Sequence, residues 1–260
     1  MQVAITGAAG HIGRHLLPGL AGLGHGVRGV DLTRPDAHWA ERVAVADIGA
    51  DDEALAATLS GADAVVHLAA NAGETDFETA LDSHLRLTHR VLEASRALGV
   101  QRVVYASSNH AVGFTSRAAV VPVDVRARPD TFYGVGKAAA EALCSLYHDR
   151  YGLAVACLRI GSFRERPTTR RHLSTWLSVP DAIRLVDACL RAPSLGFAVV
   201  YGISANTRAW WDLSPGRALG YHPEDDAERW AEEIEQVPPS AADELDARYV
   251  GGEFTRPRED

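Results

Sequence analysis

Tyr133 and Lys137 are the residues whose types and spacing point most directly to chemistry. In Tyr133-Gly-Val-Gly-Lys137 a phenol and an ammonium stand four positions apart, on one face of a helix. A free tyrosine, with a pKa of about 10, is a poor base at neutral pH, but a close cation favours its phenolate and lets it take a proton from a hydroxyl. Upstream lies Ser107-Ser108-Asn109-His110, a run of hydrogen-bonding side chains after an apolar stretch. Near the start, Gly7-Ala-Ala-Gly10-His11-Ile12-Gly13 is a GxxGxxG, in which glycine permits a tight turn and brings backbone N–H groups against a pyrophosphate. Asp31 follows where a carboxylate grips adenosine ribose hydroxyls, which favours NAD over NADP. Arg34, which could reach a 2′-phosphate, lies beyond Asp31 in a loop and is read as solvated.

These groups need elements to hold them. Short β-branched runs alternate with stretches of helical period, the pattern of a parallel sheet covered by helices. Strands are expected at Val3–Thr6, Gly26–Val30, Val43–Ala46, Ala64–Leu68, Arg102–Ala106, Ala154–Ile160 and Ala198–Ile203. Helices are expected at 11–23, 53–59, 77–98, 131–151, 180–191 and roughly 226–235, with Gly99 ending the third. The expected fold is therefore α/β, a Rossmann-type doubly wound parallel sheet with a small C-terminal substrate cap. Residues 1–165 form the NAD-binding core and 166–260 the cap and tail of one compact unit, with linker-like stretches at Ser162–Arg171 and Gln236–Glu244. In this frame the glycine motif is the first strand-to-helix turn, and Asp47-Ile48 and Leu68-Ala69-Ala70 follow the third and fourth strands, beside adenine and pyrophosphate. Ser107–His110 and Ile160 close the fifth and sixth strands, at the edge where such sheets bind ligands.

Composition narrows the partners. A hydrophobic share of 47% and a charged share of 23% are those of a globular protein. The formal charge of −8 opposes nucleic acid, and no apolar run is long enough for a membrane span. The chain is read as cytoplasmic, with Cys144, Cys157 and Cys189 as buried packing residues. His11 and His15 lie at i and i+4 but lack a third ligand, so no metal is expected. Glu224-Asp225-Asp226 reads as a solvated helix start, and Trp210-Trp211 as core packing.

A glycine-rich first turn, a serine after the fifth strand and a Tyr-x-x-x-Lys helix resemble the extended short-chain dehydrogenase/reductases. Within them, Ser108-Asn-His110, Arg159-Ile-Gly-Ser162, Arg171-His-Leu-Ser-Thr-Trp-Leu-Ser178, Val200-Tyr-Gly-Ile-Ser-Ala-Asn206, Trp210-Trp-Asp212 and Arg248-Tyr-Val-Gly-Gly-Glu-Phe254 look like the uronate dehydrogenases. The resemblance implies oxidation at C1 of a cyclic uronic acid by NAD, giving an aldarolactone. It makes Tyr133 the base, Lys137 its support and Ser108 the catalytic serine, with Ser107 the alternative. Asn109, His110 and Ser162 would contact sugar hydroxyls, and Arg171 would clamp the carboxylate through two parallel hydrogen bonds. Ala72 stands where a serine is expected and His84 where an asparagine is, and 163–170 carries Arg164, Arg166 and Arg170; these departures bear on the sugar preferred.

Two other functions share these motifs: a nucleotide-sugar epimerase or dehydratase, and a non-catalytic NAD sensor. The first typically has a larger C-terminal domain, and the second gives Tyr133, Lys137 and Ser108 no reason to coexist. A homo-oligomer is expected, because Leu81, Leu85 and Leu92 fall near one side of helix 77–98 and related enzymes pair this helix and the Tyr-bearing one across a two-fold axis.

Overall fold

The structure, a computed structural model, describes residues 1–117 and 120–257. Its strands are β1 (Gln2–Thr6), β2 (Gly26–Asp31), β3 (Val43–Val45), β4 (Ala64–His67), β5 (Arg102–Ser108), β6 (Ala154–Ile160), β7 (Ser162–Phe163), β8 (Trp176–Leu177) and β9 (Phe197–Gly202). Its α-helices are α1 (Gly13–Gly22), α2 (Asp52–Leu59), α3 (Phe77–Ala80), α4 (Leu87–Ala97), α5 (Phe132–Tyr151), α6 (His172–Thr175), α7 (Val179–Arg191), α8 (Ser214–Ala218), α9 (Ala231–Glu235) and α10 (Ala241–Arg248). Seven strands form one parallel sheet in the order β3-β2-β1-β4-β5-β6-β9. The order reverses between β1 and β4, where a doubly wound sheet opens a crevice for a ligand.

Both faces of the sheet are covered, which is why its strands are apolar on both sides. Val3 and Ile5 of β1 pack with Leu16, Leu17 and Leu20 of α1 and Leu185, Val186 and Cys189 of α7. Ala4, between them, faces Leu55 and Leu59 of α2, Leu92 of α4 and Cys144 and Tyr147 of α5. All three cysteines are free and buried. Trp210 and Trp211 stack at 3.8 Å in a smaller core with Tyr201, as expected of packing residues. Gly99, at φ +72°, closes α4.

The boundary drawn at residue 165 falls inside the sheet. Helix α7, capped by Ser178 Oγ on the Asp181 N–H, leads to β9, which pairs with β6 from Val155–Phe197 to Ile160–Gly202. Residues 179–202 therefore belong to the core. The cover over the crevice is made by β7, β8 and α6 together with the chain beyond β9.

Helix 77–98 is not one uninterrupted α-helix. Leu81–Arg86 is π-helical, and the wider turn shifts the phase of the side chains. Leu92 is consequently buried in the core, whereas Leu81 and Leu85 are half-buried, so the three leucines do not share one side. The supposed linker 236–244 contains the start of α10, which opens with a capping box from Ser240 to Asp243. No residue of α10 is buried, so the sequence carries no apolar period there.

The acidic run 224–226 is bonded rather than merely solvated. Glu224 pairs with Arg184, Asp225 accepts from Ser178 Oγ at 2.6 Å, and Asp226 accepts from the Glu228 and Thr207 N–H groups. Beneath it the fully buried Asp181 accepts from the N–H groups of Glu224 (2.9 Å) and Asp225 (3.0 Å) and from Arg184 (2.6 Å). Among the described residues no helix is long and apolar enough to cross a membrane. Asp181→Ala removes a buried carboxylate that accepts from two N–H groups and Arg184, and should cost roughly 3 kcal/mol or more in urea unfolding. A loss below about 1 kcal/mol would show that Asp181 does not anchor this connection.

Candidate active site

Glycine decides how close α5 comes to the carboxyl end of β5. A Cβ on Gly134 would stand 2.4 Å from the His110 carbonyl oxygen, and one on Gly136 would stand 2.8 Å from His84 Cβ. The two glycines of Tyr133-Gly-Val-Gly-Lys137 thus allow direct contact, and Thr131 caps the helix on the Gly134 N–H. The Tyr133 ring meets the ring edges of His84 (5.0 Å between centroids) and His110 (5.9 Å). Lys137 is buried and donates to the Ala106 carbonyl at 2.6 Å, its ammonium lying 5.5 Å from the Tyr133 ring centroid.

Burial lowers the Lys137 pKa to about 7, against the pull of Glu141. Burial also raises Tyr133 above the usual tyrosine value, helped by Asp130 and opposed by a hydrogen bond with Ser108. Burial thus works against the phenolate, and the hydrogen bond with Ser108 works for it. His84 is fully buried, with neither ring nitrogen hydrogen-bonded among the described residues, and burial beside Lys137 lowers its pKa to about 3.

The two serines of β5 have different partners because successive strand residues face opposite ways. Ser107 Oγ donates to Glu141 Oε1 at 2.5 Å, and Glu141 is gripped at its two oxygens by Arg159 at 3.0 and 2.8 Å. Ser108 instead meets Tyr133 and accepts from the His110 N–H at 3.2 Å. His110 Nδ1 bonds Asp130 Oδ2 at 2.7 Å, which fixes the ring and leaves Nε2 for a ligand. Gly113 and Gly251 make room for that carboxylate: a Cβ on either would sit within 2.0 Å of Asp130 Oδ2. Sequence reasoning missed Asp130 and Glu141, since neither stands in a motif.

Asn109, with its amide turned so that both ends are paired, donates to the Ile160 carbonyl and accepts from Arg171 Nη2, each at 3.0 Å. Arg171 also donates from Nη2 to the Val250 carbonyl at 2.8 Å and from Nη1 to Asp246 Oδ1 at 3.0 Å. Nη2 belongs to both forks of a guanidinium, and here both of its N–H groups are spent on the protein. The two parallel hydrogen bonds expected of Arg171 are therefore not available as it stands. Ser162 shares a hydrogen bond with Thr175 at 2.9 Å.

At the far end of the crevice Gly7 holds φ +70°, and a Cβ on Gly13 would stand 2.2 Å from the Gly7 carbonyl oxygen. Asp31 ends β2 and is fixed by the Ala9 N–H (2.9 Å) and by Thr33 (3.0 Å). Arg34 is exposed, as expected. His11 Nε2 lies 3.3 Å from the Phe163 carbonyl, tying the glycine turn to the cover. Among the described residues no cluster of ligands could hold a metal.

One cleft of about 1520 Å³ joins these parts. It is lined by Gly7, Gly10, His11, Ile12, Gly13 and Asp31, by Asp47, Ile48, Leu68, Ala69 and Ala70, and by Ser107, Ser108, Asn109, His110, Tyr133, Lys137, Ile160, Ser162 and Arg171. Ala72 lines it too, and Asp246 and Phe254 line it from the C-terminal segment. A single small ligand fills about 300–1,000 Å³, so the cleft has room for a dinucleotide and a second molecule.

Residues 3–164 match the model of the NAD dependent epimerase/dehydratase family. The chain is 39% identical over 254 residues to a uronate dehydrogenase of Agrobacterium fabrum, covering 97% of this chain and 96% of that one. It superposes on a crystal structure of a mutant uronate dehydrogenase from Agrobacterium tumefaciens complexed with NAD, with a TM-score of 0.90, 39% identity and coverage of 98% and 96% of the two chains. A glucuronic acid dehydrogenase structure from Chromohalobacter salexigens matches with a TM-score of 0.91, 36% identity and coverage of 98% and 96%. Gly13→Ala forces its Cβ into the turn and should weaken NAD binding at least tenfold by calorimetric titration, with the fold intact by circular dichroism. Unchanged affinity would remove this turn from the cofactor site.

Proposed function

The chain belongs to the uronate dehydrogenases of the NAD dependent epimerase/dehydratase family, and from that membership we propose that it oxidises C1 of a cyclic uronic acid, D-glucuronate or D-galacturonate, to an aldarolactone. The observation that carries the reading is the convergence of Tyr133, Ser108 and Lys137 at the carboxyl end of β5, in one cleft with the glycine turn and Asp31. NAD, held by that turn, Asp31, the backbone after β3 and β4, and Ile160, accepts the hydride from C1 and adds a positive charge near Tyr133. Asp31 disfavours a 2′-phosphate by like charge.

Tyr133 removes the C1 hydroxyl proton, and Ser108 orients that hydroxyl toward it. Lys137, fixed by the Ala106 carbonyl, supplies a cation beside the phenol when protonated and supports the cofactor ribose. Asn109, His110 and Ser162 contact the sugar hydroxyls, with His110 oriented by Asp130. Arg171 reads the carboxylate.

The chain acts as a homo-oligomer in the cytoplasm. Phe77, Phe132, Val135 and Leu146 are exposed on or beside the two helices expected to pair, with Phe77 and Phe132 in ring contact at 5.7 Å. Three buried free cysteines suit a reducing compartment.

Mixing the enzyme with NAD and a panel of uronates, aldoses and nucleotide sugars should give net NADH with uronates. Turnover without NADH would favour an epimerase, and binding alone a sensor. Tyr133→Phe should lower kcat by about 10²–10⁴-fold with NAD affinity within a few fold; a variant keeping over a tenth of kcat would sink the assignment. Light scattering at micromolar concentration should give a multiple of the 27.9 kDa chain mass; a monomer alone would refute the assembly.

A further inference from the structure

Arg171 already holds a carboxylate. Its Nη1 donates to Asp246 at 3.0 Å, and both partners are only 13% exposed. Burial raises the Asp246 pKa, and Arg171 works against that rise. The other partners of Arg171 are not free to leave. Val250 is fully buried, and its neighbourhood is laced to the body by Val250 N–H to the Thr115 carbonyl (3.0 Å) and Gly251 N–H to the Gly113 carbonyl (2.8 Å). Asn109 is 3% exposed and fixed at its other end by Ile160. Asp246 differs: its backbone is held by Arg117, which donates to the Asp246 carbonyl at 3.2 Å, but its half-buried side chain sits on α10, a helix with no fully buried residue, and can turn from Arg171 without breaking that bond.

A carboxylate arriving at Arg171 would face Asp246 across the same guanidinium, and two anions there repel. We propose that Asp246 is a built-in stand-in for the substrate carboxylate, and that a uronate binds by taking its place on Arg171 Nη1. The exchange rests on the uronate reading above and deepens it, because it sets how strongly the site prefers an acid over a neutral sugar. Asp246 holds the guanidinium in position and imposes a cost that only a carboxylate ligand recovers. The substrate carboxylate then makes one charge-assisted hydrogen bond to Nη1, while Nη2 stays with Val250 and Asn109. Asp246 turns away on the same helix whose Ala242 and Asp243 line the wall of the cleft.

The test is steady-state kinetics of Asp246→Asn, which keeps the shape and removes the competing charge, beside Asp246→Glu, which keeps the charge. The Asn variant should lower KM for D-glucuronate at least threefold, with kcat and KM for NAD within twofold. The Glu variant keeps the competing charge and should not lower KM for D-glucuronate. A raised glucuronate KM in the Asn variant would mean that Asp246 only orients Arg171 and would overturn the exchange. So would an equal fall in KM for NAD, or a KM change shared by both variants. Should either variant unfold, glucuronate KM of the wild type in rising concentrations of acetate decides: acetate must compete with glucuronate and not with NAD. Wild-type enzyme with no activity on uronates would defeat the functional reading itself, whereas active wild type with an unchanged Asn variant would defeat the exchange alone.

Discussion

The close seat of α5 on the end of β5 is the constraint on which the site depends. It exists because Gly134 and Gly136 have no side chain to hold the helix off His110 and His84. Without that contact Tyr133 would not reach Ser108, and Lys137 would not reach the Ala106 carbonyl. One helical face carries Tyr133, Lys137 and Glu141 at four-residue steps, so a single placement positions a phenol, an ammonium and a carboxylate together.

Burying these charges calls for partners. Glu141 answers Lys137 electrostatically and is itself held by Arg159 and Ser107, an arrangement that also binds β5 and β6 to α5. Asp130 does the same for His110, in a recess between two glycines. Arg171 joins the fifth-strand turn, through Asn109, to the C-terminal segment, through Val250 and Asp246. The polar groups of the cleft are consequently fixed from behind by residues that no substrate needs to touch.

Much of this was legible in the sequence, and for physical reasons. The strands of a parallel sheet are apolar on both faces, so β1, β4, β5 and β6 appear as β-branched runs, and the GxxGxxG and Tyr-x-x-x-Lys spacings follow from backbone geometry alone. What escaped was long-range or aperiodic. Helix α10 has no fully buried residue and shows no apolar phase; Asp246 meets Arg171 only through tertiary folding. The split of Leu81 and Leu85 from Leu92 comes from a π turn, which no composition rule announces. The acidic 224–226 stretch resembled a surface run because its buried partner, Asp181, lies far back in the chain.

That π turn has a genetic meaning. A π turn holds one residue more than an α turn, so Leu81–Arg86 is one codon longer than an unbroken helix would need. Loss of one codon there would let the helix close up as α with α3 and α4 keeping nearly the same phase about the axis, because the wider turn is what absorbs the extra residue. The change would fall on the turn itself, where His84 sits against Gly136 and Tyr133 and Ser83 Oγ accepts from the Asn71 N–H at 2.5 Å. The extra residue is thus confined to the one turn that touches the site, and its loss would be felt there rather than along the whole helix.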